Sequence, residues 1–222
     1  MTKENSKKNI VIFGDSYSTF AGYIPENYAT YYSTEWREST DVRRVEETWW
    51  KQFVTAIDGN LLLNNSWSGS TIGYTGYNGS DCSQTSSFLY RFKKLLDDGY
   101  FEENKVDLFI VFGGTNDSWS NAPLGELKYA ERTEEDLFCV LPAICHLASE
   151  LTTRFPNAKI VFLVNTGIKE EIRSALQSVA KHYGADALVL QELRKACGHP
   201  TVTGMKDIYE QLLAWYNQQE NR

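Results

Sequence analysis

Excess basic charge, cysteine pairs and long apolar runs are all missing from this chain, and each absence removes a class of function. Twenty-two Lys and Arg stand against 29 Asp and Glu, a net charge of −7. An acidic chain without a basic stripe is a poor partner for nucleic acid or an anionic membrane. No apolar run approaches the roughly 20 residues needed to cross a bilayer. The opening MTKENSKKNI lacks the apolar stretch of a secretory leader, so a cytoplasmic location is expected. The four cysteines, Cys82, Cys139, Cys145 and Cys197, contain no C-x-x-C pair. Cys139 and Cys145 fall on different faces of an expected helix. Reduced thiols and no zinc site follow. Histidine is scarce as well, with His146, His182 and His199 alone, so few residues can serve as a neutral-pH base.

What is present is a core-forming composition, 42% hydrophobic and 23% charged over 222 residues, which suits one domain spanning 1–222. Short apolar runs at 9–13, 61–65, 106–112, 159–164 and 187–190 read as strands. Between them lie helical patterns at 45–57, 87–96, 134–154, 170–183 and 203–216. The third helix is expected to kink at Pro142, which removes a mid-helix hydrogen bond, and Gly184 to cap the fourth. Strands alternating with helices predict a doubly wound parallel five-stranded sheet with helices on both faces. The continuous run VDLFIVF marks a central strand. There is no repeat, low-complexity tract or linker. One long segment, from Tyr17 to about Arg44, lacks periodicity yet carries Tyr17, Tyr23, Tyr28, Tyr31, Tyr32 and Trp36. Its aromatics argue for a lid or packed loop over disorder.

In such a sheet, ligands bind beyond the carboxyl ends of the strands. NIVIFGDS ends a buried strand at Gly14–Asp15–Ser16, which holds a serine on a rigid element with its hydroxyl outward. The second strand runs into SWSGS and the third into GGTND, so all three loops share one rim. A serine nucleophile needs a base on the same rim. His146 lies mid-helix, and His182 feeds the amino end of the fifth strand. His199 follows the fifth strand, on the correct edge, and is the base by elimination. A carbonyl under attack gathers negative charge that fixed donors must meet. Gly69 can supply a backbone N–H at close range and Asn116 a side-chain amide.

Together GDS at 14–16, Gly69 after NNSWS, GTND at 114–117 and GHP at 198–200 resemble the four blocks of the SGNH, or GDSL-type, hydrolases, in the family's order over nearly the whole chain. The resemblance implies a flavodoxin-like three-layer α/β/α sandwich. It implies an ester hydrolase without metal or cofactor, with Ser16 as nucleophile and His199 as general base. The Ser16 N–H, Gly69 and Asn116 would form the oxyanion hole. The chain departs from the pattern at Ala196, where the family usually has an Asp three residues before the His. A backbone carbonyl of the 196–198 turn, or failing that Glu192, could orient the imidazole instead.

The rim loops set Tyr17, Tyr23, Tyr74, Tyr77 and Trp119 among Ser, Thr, Asn and Gly. Amphipathic rings with polar neighbours suit sugars and other polar alcohols, and Tyr17, Tyr74 and Trp119 are expected to line the substrate. The expected substrate is a small-molecule or glycan ester with a short, acetyl-type acyl group. A non-catalytic binding module of the same fold, a lysophospholipase- or thioesterase-type acyl hydrolase and a nucleotide-binding flavodoxin-like protein are the alternatives. Oligomeric state has no signature in the sequence.

Overall fold

A computed structural model describes residues 7–220; residues 1–6, part of the stretch read above for a leader, and residues 221–222 lie outside it. Five parallel strands form one sheet in the order β2-β1-β3-β4-β5. They are β1 (Asn9–Gly14), β2 (Asn60–Ser66), β3 (Leu108–Phe112), β4 (Lys159–Val164) and β5 (Asp186–Val189). Every residue of β3 is buried, as a strand between two helical layers requires.

Alternate strand residues feed two cores. Val11, Phe13, Phe109, Val111 and Phe162 pack under α2 (Phe88–Asp97), α5 (Val140–Arg154) and α6 (Glu170–Tyr183). Ile10, Ile12, Ile110, Phe112 and Val161 face the other way, onto α1 (Trp49–Ala56) and α7 (Val202–Glu220). The result is a three-layer α/β/α sandwich of the flavodoxin-like order, which reverses direction between β1 and β3. That point is where such sheets bind ligands.

Local chemistry sets the helix ends. Thr48 caps α1 by accepting from the Lys51 amide at 3.4 Å, and Ser87 caps α2 through Tyr90 at 3.1 Å. Gly184 closes α6 at φ 76°. Two expectations change. The 134–154 helix is a 3-10 turn (Glu135–Phe138) followed by α5, which starts at Val140. Pro142 is therefore the third residue of α5, where an amide has no intrahelical acceptor, and no mid-helix bond is lost. The helix expected over 45–57 likewise divides into a 3-10 turn at Val45–Glu47 and α1.

The segment after Ser16 is packed structure. Phe20, Tyr32 and Val42 are buried in the α1/α7 layer, and Arg37 and Thr40 form an isolated antiparallel bridge. All four cysteines are free thiols. Among the described residues no helix is long and apolar enough to cross a membrane, and no group of His, Cys, Asp or Glu could hold a metal ion.

Candidate active site

The loop after β1 is a tight reversal. Asp15 accepts the Tyr17 amide at 3.0 Å and starts a 3-10 turn, Ser16–Ser18. Ser16 is only 3% exposed. A one-turn helix, α3 (Tyr100–Glu103), precedes β3, and after β3 the chain enters another short helix, α4 (Thr115–Trp119), which carries Asn116 and Asp117 on the same rim.

Residues 195–200, after β5, form a hairpin of two short strands, β6 (Lys195–Ala196) and β7 (His199–Pro200). Cys197 and Gly198, at φ 47° and 79°, form the two-residue turn with positive φ at both positions that such hairpins favour. The hairpin seats against α7, where a Cβ on Gly204 would fall 1.9 Å from the Arg194 carbonyl oxygen. Tyr17 and Tyr32 fasten it from below by donating to the Gly198 and Pro200 carbonyls on either side of His199.

This hairpin brings His199 Nε2 to 3.0 Å from Ser16 Oγ. Its Nδ1 lies 3.1 Å from the Cys197 carbonyl oxygen. A carbonyl can only accept, so Nδ1 carries the proton and Nε2 presents its lone pair to the serine. Burial, and then the charge of Lys195, hold the imidazole below its ordinary pKa, against the opposing pull of the Cys197 carbonyl.

Around the pair, the donors are fixed by buried polar groups. Asn116 Nδ2 donates to the Ser70 carbonyl at 3.0 Å, and its Oδ1 accepts the Tyr77 hydroxyl at 2.9 Å. These bonds set the amide's orientation and leave one N–H. The backbone amides of Ser16 and Gly69 donate to no group among the described residues. Asp117 holds the 69–73 loop by accepting the Ile72 amide with both oxygens at 3.0 Å.

Arg91 lies beneath, donating to both oxygens of Asn65, to the Gly14 carbonyl at 3.2 Å and to Ser70 Oγ at 3.1 Å. One guanidinium thus ties together the ends of β1 and β2 and the Gly69 loop. Burial lowers Arg91 to about 9. Burial also raises Asp15 to about 7 and Asp117 to about 6.

Among the expected site residues, Ser16, His199, Gly69 and Asn116 stand on this rim, and Trp119 stands beside it. Trp119 is 43% exposed, with its ring centre 5.7 Å from that of His199. Tyr17 does not line the substrate space: it is fully buried, wedged edge-on against Phe112 and Trp119. Tyr74 also lies elsewhere. It packs on Phe138 and borders a cavity of about 420 Å³ with Phe92, His146 and Arg154, and neither Ser16 nor His199 reaches that cavity. Glu192 is exposed and makes no hydrogen bond or ion pair among the described residues, and the position it would take at Nδ1 belongs to Cys197.

Three contributors were missed. Tyr31 stacks flat on the His199 ring, 3.6 Å between centres and 7° from parallel. Arg91 and Lys195 are the others. Tyr31 belongs to an aperiodic loop, and Arg91 reads as a polar helix residue in RFKK. The one available signal was the glycine of C-G, a two-residue hairpin turn that would have placed Lys195 opposite Pro200.

Fold and rim geometry define the class, an SGNH-type α/β/α hydrolase fold. A model of the GDSL-like lipase/acylhydrolase family matches residues 8–216. A solved protein described as a GDSL-like lipase from Bacteroides ovatus is 40% identical, with a TM-score of 0.88, over 96% of this chain and 99% of its own. A second, from Bacteroides uniformis, is 36% identical with a TM-score of 0.89, over 96% of this chain and 97% of its own. A family two carbohydrate esterase from Clostridium thermocellum shares the fold at 16% identity and a TM-score of 0.64, over 96% of this chain and 64% of its own. No curated protein matches. The chain belongs to the GDSL-like lipase/acylhydrolase family, a family of ester hydrolases.

Proposed function

We propose that this protein hydrolyses short-chain, acetyl-type esters of carbohydrates or similarly polar alcohols through an acyl-enzyme on Ser16. The contact between Ser16 Oγ and His199 Nε2, 3.0 Å with the correct tautomer set by Cys197, carries the reading.

Ser16 Oγ bonds to the ester carbonyl carbon as its proton passes to Nε2. The carbonyl π pair moves onto oxygen, where the Ser16 and Gly69 amides and Asn116 Nδ2 are the donors. On collapse the alkoxide leaves with the proton from Nε2. Water then repeats the attack on the acyl-enzyme, with His199 as base and then acid, and releases the carboxylic acid. The Cys197 carbonyl orients the imidazole, as the carboxylate of a full triad would, but adds no formal charge to stabilise the imidazolium.

The polar-alcohol preference rests on the rim. Trp119 and Tyr77 are 43% and 40% exposed. These are flat amphipathic faces that stack on a sugar ring. A long acyl chain would instead need a continuous apolar wall. The carbohydrate esterases sharing the fold, among them an acetyl xylan esterase from Butyrivibrio proteoclasticus, agree with this preference.

A screen across acyl length and alcohol type, with Ser16→Ala as control, tests it. Turnover should be highest on acetyl esters of sugars and vanish in the variant. Preference for long-chain acyl esters or thioesters would overturn the substrate assignment. Ligand binding without turnover would leave a non-catalytic binding module.

A further inference from the structure

One partly buried cation has no place in that reaction. Lys195 opens β6, and its half-buried ammonium group makes no ion pair with a carboxylate among the described residues. Withdrawing an ammonium from water is unfavourable unless other groups replace the hydration. Here Nζ donates to Asn165 Oδ1 and to the Thr166 carbonyl, each at 3.0 Å, just beyond the carboxyl end of β4. Asn165 is itself fixed by donating to Thr115 Oγ1 at 2.8 Å. Nζ also lies 5.4 Å from the centre of the Tyr17 ring, whose own centre is 5.4 Å from that of His199.

We propose that Lys195 is a positioning residue for the Ser16–His199 pair, anchoring the His199 hairpin to the rim and setting, by the field of its ammonium group, the pH at which the pair works. This rests on the reading of that pair as the catalytic dyad.

The anchoring follows from topology. The hairpin stands outside the five-stranded sheet, so something must tie it to the strand ends where Ser16 sits. Lys195 does this from its first strand, while Tyr17 and Tyr32 grip the second half. The field follows from what surrounds the imidazole. Ser16 and Tyr17 come from the turn after β1, Tyr31 from the long loop, Trp119 from α4, and Cys197 and Lys195 from the hairpin itself. Of these, Lys195 acts on the ring by charge, and Asp15, buried below Tyr17, acts on Lys195 in the opposite sense.

A full triad sets an anion behind the histidine, which favours the imidazolium. A cation near the ring disfavours it. The base then stays free to accept a proton at lower pH, and the acid limb of the activity profile moves down.

The test is an NMR titration of the three histidine rings in the intact protein, with His199 assigned by its loss in His199→Gln. It is paired with the pH profile of kcat on an acetyl ester. In Lys195→Met the His199 midpoint and the acid limb should both rise. Lys195→Arg should keep them near the wild-type values while lowering the plateau through altered anchoring. Lys195→Gln removes the charge but keeps a donor, and serves if Lys195→Met does not fold. A His199 midpoint that stays put in the uncharged variants overturns the proposal, whatever the plateau does. A wild type without Ser16-dependent turnover would sink the dyad reading instead, and the titration would still report the effect of Lys195 on the ring.

Discussion

Removing the ring of Tyr31 should slow turnover without changing substrate affinity for a small ester. Tyr31 covers one face of His199 at 3.6 Å and 7°, while Trp119 meets the ring edge-on at 5.7 Å. The Nδ1 bond to Cys197 fixes rotation within the ring plane, and the stack resists tilting out of it. Aromatic pairs contribute about 0.5–1.5 kcal/mol beyond buried area. If that stabilisation goes wholly into holding the imidazole against Ser16, Tyr31→Ala should lower kcat roughly 2- to 13-fold. The loss should stay far smaller than that of His199→Ala, because the Cys197 bond remains. Tyr31→Phe keeps the stack and gives up only a long 3.4 Å bond from the hydroxyl to the Ser39 carbonyl, so its kcat should lie within about twofold of wild type. The assay is acid release from ethyl acetate, whose alcohol is too small to stack on Trp119 or Tyr77. An effect confined to KM, or Tyr31→Phe as impaired as Tyr31→Ala, would refute the positioning argument and make Tyr31 a substrate contact.

Two further outcomes follow from the same geometry. Asn116→Ala should cut kcat by about 10²–10³ with little change in KM, because its free N–H meets charge that develops only in the transition state; a pure KM effect would assign Asn116 to substrate positioning. Ala196→Asp should raise kcat and move the acid limb to higher pH. Residue 196 pairs directly with His199 across the hairpin, so its side chain projects from the same face as the imidazole, and a carboxylate there favours the imidazolium. An unchanged or lower acid limb would show that the carboxylate does not reach the ring.

The parts of the site that lie at strand ends were readable from the sequence, because buried parallel strands announce themselves as apolar runs and the carboxyl-edge rule then collects their loops. Ser16, Gly69, Asn116 and His199 came together on that ground alone. Residues that act across loops were not readable. Tyr31 has no periodicity to place it, and the same composition that suggested substrate contacts for Tyr17 and Tyr74 serves packing instead. Arg91 sits on a helix whose pattern shows only its apolar face, so its buried guanidinium and its five acceptor carbonyl and side-chain oxygens depend wholly on tertiary placement. Pro142 misled because its effect depends on a helix start that lies only two residues earlier. At Ala196 the missing Asp pointed to a backbone carbonyl of the 196–198 turn, and the turn geometry supplies that of Cys197.

The central claim, that His199 activates Ser16 as the nucleophile, is tested most directly by covalent capture. Wild-type protein incubated with a fluorophosphonate should gain one adduct by intact mass, and peptide mapping should place it on Ser16. His199→Ala should react far more slowly, and Ser16→Ala not at all. Adduct formation on another residue, or labelling of Ser16 at an unchanged rate without His199, would contradict the account.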